Sequence, residues 1–347
     1  MKRHSFASIF LVLLTLSLFL VSCSNQASRA QLMVYSPHGS DLLEAFKTRF
    51  EAANPNVEVR YLDMGSQEIY DRIKIEQANP QADIWWGAAA ATFDKAAAEG
   101  LLEPYKPSWS AQVEADWHDS QDRWYGTFQT PEVIVYNKVA VKAEESPKDW
   151  DDVLDPKWSG KLLIRDPLRS DTMRTIFGAM ILRQSQPGSE IEKGYEWLKK
   201  LDANTKEYTV DGTALVQKLA RQEGLVSLWD LPDVALAINR QNLPLAFNIP
   251  TSGTPVVIDA IAVVKGSRNP ELARKFYEFV TSEESLLLAA SEYFHPPLRK
   301  DIDPKKLPAW LSGVEIKAMS LNQSLMRSEI DKWMLHWDTQ IRNQNKK

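Results

Sequence analysis

From Leu32 onward, short apolar runs alternate with amphipathic stretches along this chain. Leu32-Met33-Val34-Tyr35 reads as a strand, and Ser36-Pro37-His38-Gly39-Ser40-Asp41 breaks it. Leu42, Leu43, Phe46 and Phe50 then fall on one face of a helix, with Ser40 or Asp41 placed to cap it. After the Asn54-Pro55-Asn56 turn, alternation of Val57, Val59 and Tyr61 predicts a second strand. Met64-Gly65-Ser66 ends it, and a helix carrying Ile69 and Ile73 runs to Asn79-Pro80. Asp83-Ile84-Trp85-Trp86 predicts a third strand, with Gly87 opening an alanine-rich helix. Strand, loop and helix repeated in this way predict a parallel α/β lobe. In such a lobe, ligands bind at the loops that follow the strands.

The same style continues to the end of the apolar pattern. Val133-Ile134-Val135-Tyr136, Leu162-Leu163-Ile164 and Leu225-Val226-Ser227-Leu228 read as strands, the last ending at Trp229-Asp230. Asp211 caps a helix carrying Leu215 and Leu219. Val256 to Val264 is a long apolar run broken only by Asp259, and Asn269-Pro270 starts a helix with Leu272, Phe276, Phe279 and Val280. No long linker divides the chain, so two lobes must be joined by strands that cross between them, near Thr130 to Tyr136 and near Thr254 to Asp259. The expected fold is α/β and two-lobed, each lobe a mixed, mostly parallel sheet with flanking helices. Residues 31–130 and 256–300 are assigned to lobe 1, and residues 131–255 and 301–347 to lobe 2.

The start of the chain has a different pattern. Lys2 and Arg3 precede Ile9 to Leu20, which runs almost without a polar break, the form of a secretory signal peptide rather than a membrane-spanning helix. The run closes on Leu20-Val21-Ser22-Cys23, the form read by a lipoprotein signal peptidase. Residues 1–22 are therefore expected to be the signal peptide and Cys23 the lipidated residue, with residues 23–30 as a flexible tether. The expected location is the periplasm or cell surface, anchored to a membrane through Cys23. As the only cysteine, Cys23 also excludes a disulfide within the chain.

Composition changes this picture little. The 44% hydrophobic and 25% charged residues are ordinary for a globular protein, and 347 residues suffice for two cores. A net charge of −5 argues against a nucleic-acid partner. Twelve tryptophans suggest aromatic lining of a cleft as well as core packing. Nucleophile-elbow, zinc-protease, P-loop and dinucleotide motifs are all absent. His4, His38, His118, His295 and His336 include no pair at metal-ligand spacing. The acids Asp149, Asp151 and Asp152 lie in a turn-rich stretch and read as solvated surface. A binding protein is favoured over an enzyme, and no cofactor is called for; a periplasmic enzyme or a sensory receptor is the alternative class.

Several short motifs in order resemble the extracellular solute-binding proteins of ABC importers, in the group with ferric-ion, thiamine, phosphonate and sugar-phosphate binders. They are Leu32-Met33-Val34-Tyr35-Ser36, Ala82-Asp83-Ile84-Trp85-Trp86-Gly87, Ala97-Ala98-Glu99-Gly100-Leu101-Leu102-Glu103-Pro104, Val133-Ile134-Val135-Tyr136-Asn137, Leu154-Asp155-Pro156-Lys157-Trp158-Ser159-Gly160, and Ala260 to Lys265. The resemblance covers essentially all of the chain after the leader. It implies the type II periplasmic binding fold, closure of the lobes on a small ligand, and delivery to a membrane permease driven by a cytoplasmic ATPase. A monomer is expected.

Ferric-ion binders of this group use a first-loop histidine, a glutamate after the third strand and two adjacent tyrosines in the second lobe. Here His38 matches the first position, but Gly87-Ala88-Ala89 and Trp229-Asp230-Leu231-Pro232 stand at the others. Ferric binding is therefore the alternative, as is a metal set of His38, Asp230 and Tyr293. The favoured ligand is a small polar, anionic organic molecule, such as a phosphate ester or phosphonate, held by N–H groups at helix-opening loops. Those loops carry Ser36, His38, Gly39, Ser66, Gly87 and Ala88 from the first lobe, and Arg169, Ser170, Asp171 and Thr172 from the second. Arg169 supplies the charged fork. Trp86 and Trp229 are expected to pack on the ligand body, with Asp230, Asp259 and Thr130 available to its hydroxyls or amine.

Overall fold

A computed structural model describes residues 29–184, 191–312 and 316–343. The expected signal peptide, Cys23 and the expected tether up to Ser28 lie outside these residues. A strand already begins at Ala30.

Strands β1 (Ala30–Ser36), β2 (Val57–Asp63) and β3 (Ile84–Ala89) are joined through helices α1 (Ser40–Ala53) and α2 (Ser66–Ile75), and α3 (Ala90–Ala98) follows β3. β1 lies parallel between β2 and β3. The short β4 (Leu102–Glu103) leads into β5 (Tyr125–Asn137), β6 (Leu162–Arg165), α4 (Asp171–Gln184), α5 (Glu192–Asn204) and β7 (Thr205–Thr209). Next come α6 (Gly212–Ala220), β8 (Val226–Asp230), α7 (Leu231–Asn239), β9 (Leu245–Asn248) and β10 (Val256–Val264). The chain ends with α8 (Pro270–Val280), α9 (Glu283–Tyr293), α10 (Ala309–Ser312) and α11 (Gln323–Gln340).

One mixed sheet of ten strands runs through the molecule in the order β2-β1-β3-β10-β5-β8-β6-β7, with β4 on β10 and β9 on β5. The long strand β5 links its two halves. Tyr125 to Pro131 pair with β10, and Glu132 to Asn137 pair with β8 and β9. The fold is two-lobed and α/β.

Alternate residues of β1 and β3 supply two cores on opposite faces of the first half, as a pleated strand requires. Leu32, Val34, Ile84 and Trp86 pack with Phe46, Phe50 and Phe276. Tyr35, Trp85 and Ala88 pack with Ile69, Ile73 and Phe93. A separate core fills the second half, with Ile134, Ile164 and Leu228 against Phe177, Leu201, Trp333 and Trp337.

Two local readings are corrected. Gly87 and Ala88 do not open a helix; they continue β3, because β10 pairs with it as far as Asp259 opposite Ala89. A register shift between Asp259 and Ile261 marks an irregularity there, and Gly87 and Ala88 take φ of 94° and 133°. The cap of α1 is Gly39, with φ of 82°, and no side chain of its own helix caps it. The Asp63 carboxylate from β2 instead accepts from the N–H groups of Gly39 and Ser40.

Candidate functional site

A cleft of about 440 Å³ opens where the loops after β1, β2, β6, β7 and β8 meet the crossing strands. From the first half, His38, Gly39, Ser66, Ala88, Thr130 and Asp259 line it, and from the second Arg169, Ser170, Asp171, Thr172, Trp229 and Asp230. Ser36, Trp86 and Gly87 do not. Ser36 is buried, and its hydroxyl accepts from the His38 N–H at 3.2 Å. Trp86 is fully buried against Phe46 and Phe276, so it is core rather than ligand platform. Tyr293 lies away from the cleft, with its ring under the Arg240 guanidinium. A wider depression of about 1490 Å³ on the second lobe is bordered by solvent-facing Glu145, Lys148, Asp152 and Glu196 and gathers no buried unpaired group.

The loop N–H groups expected to hold an anion are engaged by the protein's own carboxylates. Asp63 takes those of Gly39 and Ser40, Glu68 takes Gly65 at 3.1 Å, and Asp259 takes Ala88. Asp171, at the start of α4, crosses to the first half. It accepts from the Ala89 N–H at 2.9 Å, the Thr92 hydroxyl at 2.9 Å and the Gln67 amide, while its own N–H donates to the Ser66 hydroxyl at 3.1 Å. Arg169 is exposed and paired with Glu68 at 2.6 Å. Of these contacts, those of Asp171 and the Arg169–Glu68 pair tie the two lobes together.

Other residues carry the unspent chemistry. Arg165, the last residue of β6, is 4% exposed and its Nη1 has no hydrogen-bond partner. Its guanidinium reaches the first lobe so closely that a Cβ on Gly65 would meet Nη2 at 3.1 Å. Burial lowers its pKa, so an anionic partner would relieve it. Acids dominate around it. Asp230 caps α7 by accepting from the Asp233 N–H at 2.9 Å, and Asp233 accepts from the Trp229 indole at 3.0 Å. Burial pushes Asp233 up to about 6, Asp259 up to about 7 and Asp230 well above the carboxylate range. Just behind them, Glu132 is fully buried, neither carboxylate oxygen has a partner, and burial with the nearby Asp230 charge raises its pKa strongly. Acidic groups of this density favour a positive charge placed among them.

His295 also enters the cleft beside His38, their ring centroids 5.0 Å apart. Both are buried, and desolvation holds His295 down to about 3 and His38 well below the usual imidazole range. Sequence reasoning missed Arg165, Asp233 and His295. Arg165 follows the apolar Leu162-Leu163-Ile164 run and so sits at a strand's carboxyl end, a signal available in the sequence. Asp233 stands three residues after Asp230, at the cap's partner position. Nothing local marks His295, which meets His38 only through the tertiary fold.

Residues 79–318 match the family model of the bacterial extracellular solute-binding proteins. The chain belongs to that family. Among its relatives is an ABC transporter periplasmic-binding protein of Sinorhizobium fredii, 24% identical over 90% of this chain and 86% of its own length. A Salmonella typhimurium protein described as 2-aminoethylphosphonate-binding is 23% identical over 86% of this chain and 90% of its own. Two solved solute-binding structures share the fold. AfuA of Actinobacillus pleuropneumoniae, with fructose-6-phosphate bound, superposes with a TM-score of 0.78 at 24% identity, covering 91% of this chain and 99% of its own. The ferric binding protein of Campylobacter jejuni does so with a TM-score of 0.74 at 20% identity, covering 88% and 98%. Among the described residues, no helix is long and apolar enough to cross a membrane.

Proposed function

We propose that this solute-binding protein serves an ABC importer by capturing a small zwitterionic organic solute, with a phosphonate- or phosphate-like oxyanion at one end and an amine at the other. The observation that carries this is the charge layout of the cleft: one buried arginine, Arg165, with an unpartnered Nη1, in a cleft shared with the buried acids Asp230 and Asp259 and the half-buried Asp233. An anion alone answers Arg165 and leaves the acids unpaired. An amine alone does the reverse. The description of the Salmonella relative, which names an aminophosphonate, and the sugar phosphate bound to AfuA support an oxyanion in this cleft. The anionic ligand expected from the loops is thus refined, because the protein's carboxylates already use those N–H groups.

The protein acts by binding, without turnover, as a monomer. The lobe boundaries at 31–130 with 256–300, and 131–255 with 301–347, place the hinge at β5 and the entry to β10. The Leu20-Val21-Ser22-Cys23 run supports acylation of Cys23, holding the domain at a membrane surface for the permease; Cys23→Ser protein found as firmly in the membrane fraction as the parent would refute that.

Calorimetry tests the ligand class directly. 2-Aminoethylphosphonate should bind, ethylphosphonate should bind at least about tenfold more weakly for want of the amine, and Arg165→Ala should weaken the zwitterion by a similar factor. Equal affinity for the two phosphonates, or tight ferric citrate binding with no response to either, would overturn the zwitterion.

A further inference from the structure

The strongest unexplained feature is at the floor of the cleft. His38 comes from the loop between β1 and α1, Asp259 from β10, and His295 from the loop after α9. One donor atom from each lies within 4.8 Å of the others. They are 8%, 8% and 6% exposed. Both ring nitrogens of His38, and Nδ1 of His295, are buried without a hydrogen-bond partner. Buried polar atoms normally find partners, and three orphans on two touching imidazoles require an explanation that packing does not supply.

We propose that His38, Asp259 and His295 form a binding site for a divalent transition-metal ion at the floor of the cleft. Two imidazoles and one carboxylate on one side of an ion are the donor set suited to Fe(II), Mn(II), Co(II), Ni(II) or Zn(II), and they leave coordination positions free for solute oxygens or water. The set differs from the oxygen-rich one that a hard ferric ion prefers. The surroundings are built for aim. The second role of Asp259, as acceptor from the Thr130 hydroxyl and the Ala88 N–H, fixes its carboxylate. The His38 ring is held edge-on by Trp86 at 5.2 Å and Phe128 at 5.6 Å, and His295 lies against Phe128 at 4.9 Å. Gly87 makes the space: a Cβ there would meet the His38 ring at 2.7 Å. That assigns Gly87, which does not touch the cleft, a role in seating His38.

The proposal goes beyond the zwitterion reading and fails separately from it, because the ion needs no organic ligand. The metal-stripped full chain is titrated with Co(II), following its visible ligand-field absorption, and Zn(II) is then added. The expected result is saturation at one Co(II) per chain, displacement by Zn(II), and a loss of affinity by roughly 100-fold in His295→Ala and in the size-conserving His38→Asn. His336→Ala, whose ring stacks on Tyr195 far from the cleft, should bind as the parent does. Thermal melts of the metal-free variants check their folding; if His295→Ala does not fold, His38→Asn decides. No saturable binding, or equal affinity in parent and variants, overturns the metal site. 2-Aminoethylphosphonate is titrated in parallel with a chelator present, so its binding there upholds the zwitterion reading whatever the metal result.

Discussion

At the scale of single residues, Glu132 has the most to say about what the cleft lacks in charge balance. It is fully buried on β5, its oxygens have no partner, and the acids facing it are Asp230, Asp259 and Asp233. Its folded pKa is raised, so it adds stability below its ordinary value of 4.5 and loses that contribution as pH rises through the folded value. His38 and His295 act in the opposite sense. Their lowered pKa values give stability that is present above 6.5 and lost as pH falls. Above pH 6.5 the raised acids, Asp259 at about 7 among them, set the trend, so the ligand-free protein should lose stability as pH rises from there to about 8. Glu132→Gln should flatten that loss and melt higher than the parent at about pH 8, with roughly 1.4 kcal/mol at stake per unit of raised pKa. Parallel melting curves for the two proteins across this range would refute the reading. The sequence held a hint of this basin in Asp230 and Asp259, each breaking an apolar run. Glu132 sits in a comparable run, yet was indistinguishable from a strand residue facing solvent, because only the pairing of β5 with both β8 and β10 buries it.

At the scale of elements, the start of α4 is the main clasp between the lobes. Asp171 carries three hydrogen bonds from the first lobe, and Lys95 of α3 pairs with Asp331 of α11 at 2.8 Å as a second tie. Charge-assisted bonds in a buried place are the strong ones, whereas the exposed Lys95–Asp331 pair adds little. Asp171→Asn keeps the volume but removes the charge, and should weaken solute affinity about tenfold, near 1.4 kcal/mol, as read by calorimetry; unchanged affinity would show that the clasp does not contribute to closure. Elements with their own sequence punctuation were legible. Asn269-Pro270 starts α8, Asp211 caps α6, and alternation marks β2. The Gly87-Ala88 stretch misled because glycine before a run of alanines looks like a helix start, while tertiary pairing with β10 extends the strand instead. The helices α5 and α11 and the strand β9 went unread. The contacts that stabilise them, such as those Trp333 and Trp337 of α11 make in the second core, are with residues distant in the chain.

At the scale of the molecule, the chain is one sheet with two core-bearing halves, linked by β5 and closed at the cleft by side chains that cross between them. The order of short motifs makes the family legible in the sequence, since the motifs mark strand ends and turns that the architecture needs. The cleft was legible in outline for the same reason: strand-end loops must converge there. Its polarity was not, because the N–H donors and the carboxylates that occupy them lie in different segments, as with Asp63 and Gly39. The central claim is that solute is captured by drawing the two halves together about the crossing strands, with Arg165 and the acids closing on opposite ends of it. Small-angle scattering of the purified protein, with and without saturating 2-aminoethylphosphonate, measures this. The account predicts a smaller radius of gyration with the solute, and in Arg165→Ala the same change only at about ten times the solute concentration. A solute that binds tightly by calorimetry yet leaves the radius of gyration unchanged would contradict it.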